Sequence, residues 1–458
     1  MNLKDFKKVY FIGIKGVGMT ALAQIFQAQG LNITGSDTEE KFMTDEVLKR
    51  LGIKYFEIYN KDHITADIDL IVVTTSQLEN NVELEKAKES GLKILTYPEA
   101  LALVFNDKFG IAICGTHGKT TTTALAGQIL EKAGLDPTVL VGSLVLAWQA
   151  NARVGKSQYF VAEVDEYQNK LKYFTPKIII LTAIEFDHPD YFENLRAYKK
   201  VFENFVAKLP EDGLLIANYD YKSVLAIAQK APCRVITYGK SPQADYYYEK
   251  LGSKRNKQNF RIFSAKKKLA DFSLALPGEF NIANSLAAIA LANYLKINIG
   301  DMQKAVANFF GTSRRLEKMG SYHNALIFDD YAHHPTEIKV TLEAIRQFYR
   351  DKKIWCVFHP HTFSRTKALL REFARSFTEA DKVIVLDIYG SAREKSSGIV
   401  HSRDLVRETK KYHRDVIYIP TIEEVSDYLA PKLTQGDLVV TMGAGDVWKV
   451  GEKLLAKK

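Results

Sequence analysis

Cysteine is scarce in this chain: Cys114, Cys233 and Cys356 stand far apart in 458 residues, with no CxxC pair. An odd, sparse set excludes a disulfide scaffold and predicts a reducing, cytoplasmic setting. No apolar run approaches the 18 residues that a membrane-spanning helix needs. The Lys-rich opening Met1–Tyr10 lacks the long apolar core of a secretory signal. Runs of five like charges and low-complexity linkers are missing as well. Lys plus Arg (63) exceed Asp plus Glu (54), giving a net charge of +9, yet no aromatic-and-basic stripe accompanies the excess. That balance suits small anionic substrates and argues against a nucleic-acid partner. The densest basic patch, Lys254–Lys268, predicts a loop or a solvated face.

What is present is ordinary globular material, 46% hydrophobic and 26% charged. At about 150 residues per domain the length predicts three domains. Apolar, β-rich runs alternate with helical patterns and glycine turns, the signature of α/β units on parallel sheets. The expected divisions are 1–106, 107–311 and 312–458. The first holds strands Val9–Ile14, Asn32–Thr34 and Asp69–Thr74, the last ending in polar Thr75-Ser76, with a helix near Gly18–Gln29. The second holds strands Gly110–Cys114, Tyr159–Ala162 and Ile178–Thr182. The third holds Ala325–Phe328, Ile354–Phe358, Val383–Asp387 and Asp437–Thr441, with a helix over Pro335–Tyr349. The fold class is therefore α/β in three domains: Rossmann-like, then a P-loop ATPase type with a mixed or parallel sheet, then Rossmann-like again.

Gly115-Thr116-His117-Gly118-Lys119-Thr120-Thr121 follows an apolar strand and opens a helix, the context of a phosphate-binding loop. Its glycines let amides converge on phosphate oxygens at a positive helix end. Lys119 would neutralise the β/γ-phosphates and the Thr120 hydroxyl would hold Mg²⁺. The full Walker spacing has a glycine where Ile113 stands, so this is a shortened variant. A second loop, Gly13-Ile14-Lys15-Gly16-Val17-Gly18, also joins a strand to a helix. Lys15 occupies the middle-glycine position of a dinucleotide fingerprint, and Asp37 is placed to reach a ribose hydroxyl. Two anion cradles imply two phosphorylated ligands. Glu163, Asp165, Glu166, Glu185, Asp187 and His188 follow strand ends beside the phosphate loop, so they are candidate Mg²⁺ ligands or supports. Asp329-Asp330-Tyr331-Ala332-His333-His334-Pro335 forms a further polar knot. Its adjacent histidines lack a third ligand at zinc spacing and read as hydrogen-bonding groups. Arg314-Arg315 and His359–Thr366 add fixed cations and donors.

Taken in order, these stretches resemble the Mur ligase family, the ATP-dependent amide-forming enzymes of peptidoglycan synthesis, over essentially the whole chain. Phe11–Met19, Asp329–Thr336, His359–Thr366 and Met442-Gly443-Ala444-Gly445-Asp446 are most similar to the branch that joins L-alanine to UDP-N-acetylmuramate. The resemblance implies that Gly13, Lys15, Gly16, Val17, Gly18 and Asp37 hold the UDP-sugar. It implies that Gly115, Thr116, His117, Gly118, Lys119, Thr120 and Thr121 wrap the ATP phosphates, with Asn281, Asn284, Arg315 and Asp330 also on the nucleotide. Thr120, Glu163 and His188 would carry Mg²⁺, and Tyr331 and His361 would border the acid and the amino acid. Lys119, His188, Arg315, His333 and Arg365 would be catalytic, through an acyl phosphate, with the base left open. Departures from that branch are Gln168-Asn169-Lys170-Leu171 after Glu166-Tyr167, Ala183 for an asparagine and Phe280 for a histidine.

Other readings remain at this stage. A sister ligase would add a recycled murein tripeptide to the same sugar, and a non-catalytic nucleotide-binding homologue would keep the fold alone. A nicotinamide oxidoreductase would leave Gly115–Thr120 without a task. The expected assembly is a monomer or a homodimer.

Overall fold

The computed structural model describes residues 3–75, 80–254, 257–390, 394, 398 and 400–457. Ser76, read above as part of a strand's polar end, lies outside them. Among the described residues the strands form three sheets. The first contains β1 (Lys8–Ile12), β2 (Asn32–Ser36), β3 (Lys54–Phe56), β4 (Leu70–Val73) and β5 (Lys93–Thr96) in the order β3-β2-β1-β4-β5, all parallel. Helix Val17–Ala28 makes the β1-to-β2 crossover, and helix Tyr97–Phe105 follows β5. Near-continuous apolar runs such as Leu70–Val73 are the mark of strands covered on both faces.

The second sheet contains β6 (Phe109–Cys114), β7 (Thr138–Val145), β8 (Ala150–Arg153), β9 (Tyr159–Glu163), β10 (Ile178–Leu181), β11 (Leu214–Asn218), β12 (Arg234–Gly239), β13 (Tyr246–Lys254), β14 (Lys257–Ser264) and β15 (Lys267–Leu274). Its order is β15-β14-β13-β12-β11-β10-β6-β9-β7-β8, parallel from β13 through to β7, with β14, β15 and β8 antiparallel. Strand β6 sits centrally, with Cys114 beside Leu181 of β10 and Ile113 beside Glu163 of β9. The loops leaving β6, β9 and β10 therefore issue from one edge. This register converts three separate polar clusters into one site.

The third sheet contains β16 (Glu317–Tyr322), β17 (Ala325–Asp330), β18 (Lys353–Phe358), β19 (Lys382–Val385), β20 (Val416–Tyr418) and β21 (Asp437–Met442), ordered β16-β17-β21-β18-β19-β20 with only β16 antiparallel. Helix Pro335–Phe348 leaves the end of β17.

Of the two readings of the basic patch, the solvated face holds and the loop does not: Lys257–Ser264 alternates Gln258, Phe260 and Ile262 inward with lysine and arginine outward, the period-2 pattern of a half-covered strand; Arg255 within it lies outside the described residues. The first two stretches also share one apolar core. Alternation along β6 turns Ile111 and Ile113 toward helix Lys119–Lys132, while Ala112 and Cys114 join the cluster containing Phe11, Val72 and Phe105. Phe105 packs its ring 5.4 Å from Phe160 and 5.5 Å from Phe174. Among the described residues no helix is long and apolar enough to cross a membrane.

Candidate active site

The phosphate loop is built by two left-handed glycines. A Cβ on Gly115 (φ +131°) would stand 2.3 Å from Thr182 Oγ1, and one on Gly118 (φ +80°) 2.5 Å from Asn284 Oδ1. Gly118 caps helix Lys119–Lys132 without a side-chain bond, so the amides of its first turn open toward the cavity. Lys119 Nζ donates to Gly115 O and to Thr116 O (3.3 Å), and lies 3.5 Å from Glu166 Oε2. Burial pulls its pKa down, but Glu166, Glu163, Asp165 and Asp187 more than reverse this, so the ammonium stays charged. The Thr116 hydroxyl instead ties the loop to Glu185 N (3.0 Å) and Tyr198 (2.9 Å).

Thr120 Oγ1 donates to Glu163 Oε1 at 3.0 Å, while Glu163 Oε2 accepts from Gly142 N at 2.7 Å. Arg315 reaches across from the third-sheet region, its Nη2 3.4 Å from Thr120 Oγ1. His188 stands at φ +56°, with Nε2 3.7 Å from Asp187 and 3.9 Å from Glu166. Its Nδ1 is buried without a hydrogen-bond partner. Thr120, Glu163 and His188 line one cavity of about 370 Å³, together with Lys119, Lys170, Arg315, Tyr331, His333, His361 and Arg365. A hydroxyl, a carboxylate and an orphaned imidazole nitrogen form a donor set that fits a divalent cation.

A neighbouring cavity of about 590 Å³ is lined by His117, Gly118, Thr120, Thr121, Asn281, Asn284, Phe280, Asp330 and Arg315. Asn281 Nδ2 donates to Pro277 O (2.7 Å), and Asn284 Nδ2 to Asn281 Oδ1 (3.3 Å), which fixes both amides on the cavity wall. The Asp330 carboxyl accepts from the amides of Leu316 and Ala332, each at 2.7 Å. Burial pushes its pKa up to about 7, against the pull of Arg315.

From the third-sheet region, His333 Nδ1 lies 3.0 Å from Tyr331 O, and burial pushes its pKa down to about 3. The imidazole is therefore neutral at ordinary pH, a hydrogen-bonding group rather than a cation. Arg365 is buried, with Nε donating to Asp187 Oδ1 at 2.8 Å and Nη1 to His361 Nδ1 at 2.9 Å. This buried pair joins β10's loop to the third-sheet region, so Arg365 holds the cavity wall as well as lining it. Arg314 is buried too, paired with Asp329 at 2.9 Å and donating to Gly443 O at 2.6 Å; of the two arginines only Arg315 lines the 590 Å³ cavity.

The first glycine loop differs from expectation at two residues. Lys15 does not point at a ligand. Its side chain is fully buried, and Nζ donates to Glu57 Oε1 (2.7 Å), Thr38 O (2.8 Å) and Glu40 O (3.1 Å). Asp37 likewise accepts the amides of Lys15 (2.7 Å) and Thr38 (2.8 Å). The amides of Gly13 and Ile14 both donate to Ser36 O, and that of Gly16 to Gly13 O. Anion capacity therefore falls to the first turn of helix Val17–Ala28, where Val17 lines a third cavity of about 320 Å³ with Tyr331, Arg315 and Tyr389. Gly18 is required by packing: a Cβ there would lie 2.6 Å from the Tyr97 ring.

His117 carries an interdomain contact that sequence did not indicate. Its Nε2 lies 3.3 Å from Glu185 and its Nδ1 3.1 Å from Glu337, 220 residues away. Burial lowers its pKa, but the two carboxylates win and raise it to about 9, leaving an imidazolium bridge. His117, Glu185 and His334 are close enough to hold a metal. Each is already engaged: Glu185 accepts from Thr336 Oγ1 (2.6 Å), while His334 meets Phe186 O and Thr336 N, both at 3.3 Å. Glu337 also caps helix Pro335–Phe348, its carboxylate three positions past His334.

The chain matches three family descriptions in sequence order: Mur ligase family, catalytic domain over residues 8–109; Mur ligase middle domain over 113–292; and Mur ligase, glutamate ligase domain over 314–445. The UDP-N-acetylmuramate–L-alanine ligase of Caldanaerobacter subterraneus subsp. tengcongensis is 40% identical, covering 99% of this chain and 98% of that protein. The enzyme of the same name from Acetivibrio thermocellus is 40% identical, covering 100% and 97%. The crystal structure of UDP-N-acetylmuramate-alanine ligase from Thermotoga maritima superposes with a TM-score of 0.83 at 25% identity, over 98% of each chain. Phosphate loop, acidic strand ends and Arg315 thus sit on a scaffold shared along the full length with these proteins, and the chain belongs to the Mur ligase family.

Proposed function

We propose that this protein joins L-alanine to UDP-N-acetylmuramate, driven by ATP, as a step in cell-wall peptidoglycan synthesis. The observation that carries this reading is Arg315. It lines all three cavities, so the nucleotide site, the first helix's anion site and the polar third-sheet loops meet around one side chain. We place the domain divisions at 106/107 and 311/312.

A carboxylate does not condense with an amine in water; it must first become an acyl donor. The loop Gly115–Thr121 would cradle the ATP phosphates, with Asn281 and Asn284 toward the base. Lys119 and Arg315 would stabilise the charge that develops as the muramyl carboxylate attacks the γ-phosphorus and ADP leaves. Thr120, Glu163 and His188 would hold Mg²⁺, which supplies further screening of the phosphate charge. Tyr331 and His361 would border the resulting acyl phosphate and the amino acid. His333, kept neutral by burial, would hydrogen-bond the incoming amine. Attack of that amine on the acyl carbon expels phosphate and leaves the amide. The His117 bridge to Glu337 would hold the third-sheet region over the phosphate loop and limit water access.

The test is ADP release measured with UDP-N-acetylmuramate and a panel of L-alanine, glycine, L-serine and a murein tripeptide. Release that needs both the sugar acid and L-alanine is the expected result. Preference for the tripeptide, or release without either partner, would overturn the assignment.

A further inference from the structure

We propose that Lys170 is the cation that takes the carboxylate of the sugar acid in the reaction cavity, an inference that rests on the ligase reading above. Lys170 lines the same cavity as Glu163, His188 and Arg315. Its side chain is only 12% exposed, yet its hydrogen bonds go to Asp165, at 3.2 and 3.3 Å, and that carboxylate is 41% exposed. The Asp165 carboxylate is partly open to solvent, so an arriving oxyanion can share the Lys170 ammonium with it. The other cations of the cavity are committed. Arg365 is locked between Asp187 and His361, and Lys119 and Arg315 sit on the phosphate loop and its Thr120.

The backbone supports the same conclusion. Gln168 (φ 55°, ψ 26°) and Asn169 (φ 56°, ψ 36°) are two successive non-glycine residues in the left-handed region, immediately before Lys170. Strain of this kind persists where the surroundings hold a side chain in a particular place. Tyr167, whose hydroxyl donates to Asp190 at 2.8 Å, presents its ring 5.4 Å below the Lys170 ammonium. The cavity that holds Lys170 and the one that Val17 lines share Gly142, Arg315, Tyr331 and Ala444, so a ligand whose phosphates rest on the first turn of helix Val17–Ala28 can extend into the Lys170 cavity.

The experiment compares equilibrium binding of UDP-N-acetylmuramate with that of UDP-N-acetylglucosamine, which lacks the carboxylate, on the full chain without ATP. The wild type should prefer the acid by about 30-fold, the effect of one charge-assisted contact. Lys170→Met should reduce that preference below threefold while leaving UDP-N-acetylglucosamine affinity unchanged, and Lys170→Arg should keep most of it. The double variant Asp165→Asn/Lys170→Met should also lack the preference. Retained preference in Lys170→Met, equal loss of both sugars, or recovery in the double variant would overturn the proposal. So would a rise in the KM for L-alanine with acid preference intact. Because the titrations need no turnover, absence of alanine ligation by the wild type would count against the functional reading and not against Lys170.

Discussion

The two glycine loops leave parallel strands in the same way yet use their polar groups in opposite directions. In Gly13–Gly18 the lysine is sealed inside, bonded to Glu57, Thr38 and Glu40, and four backbone amides are taken by Ser36, Asp37 and Gly13. In Gly115–Thr121 the glycines hold left-handed angles, and Lys119 and Thr120 line the cavity with Glu163. A strand–glycine–helix turn is thus a scaffold whose chemistry depends on where its one lysine finds acceptors. The first loop turns its lysine inward to hold its own backbone; the second turns its lysine and threonine to a cavity wall.

Exchanging the lysines' fates is the sharpest way to break this contrast. Lys119→Ala should lower kcat by about a hundred- to a thousandfold, as removal of a preorganised charge at a developing oxyanion does. Lys15→Met should do the reverse: stability falls by about 2 kcal/mol because Glu57, Thr38 O and Glu40 O lose their charged donor, while kcat moves by less than about threefold. If Lys15→Met abolished turnover at full stability, the loops would be alike after all. A smaller effect sharpens the assignment of the second loop. Glu163→Gln should raise the Mg²⁺ concentration at half-maximal rate by about tenfold or more; an unchanged requirement would remove Glu163 from the ligand set.

The smallest effect concerns His117, the side chain by which the second loop touches the third-sheet region. Its pKa is raised from 6.5 to about 9 in the fold. The bridge therefore contributes fully below about pH 6.5 and is lost as pH rises through about 9. The urea midpoint of the wild type, minus that of Glu337→Gln, should shrink across this window. A difference independent of pH between 6 and 10 would contradict the imidazolium bridge.

The same contrast shows what sequence could and could not tell. Strands such as Ile178–Leu181 and Asp437–Met442 were legible because chains covered on both faces run apolar without interruption. Strands β13–β15 were hidden because lysines occupy their outward positions, and their alternation is visible only once the inward phenylalanines are paired. Arg315 and Asn284 were legible from motif order. The role of Lys15 was not, since nothing local to Gly13–Gly18 says that Thr38 O, Glu40 O and Glu57 converge on its ammonium. Glu337 and Tyr97 escaped for the same reason: they act on loops distant in sequence, and tertiary packing alone brings them there.

For ligation to proceed as proposed, the sugar carboxylate must meet the γ-phosphate in the cavity around Arg315. Turnover of UDP-N-acetylmuramate labelled with ¹⁸O in its carboxylate, in the presence of ATP and L-alanine, tests this directly. One ¹⁸O should pass to each inorganic phosphate released, as an acyl phosphate requires; phosphate carrying no label would contradict it.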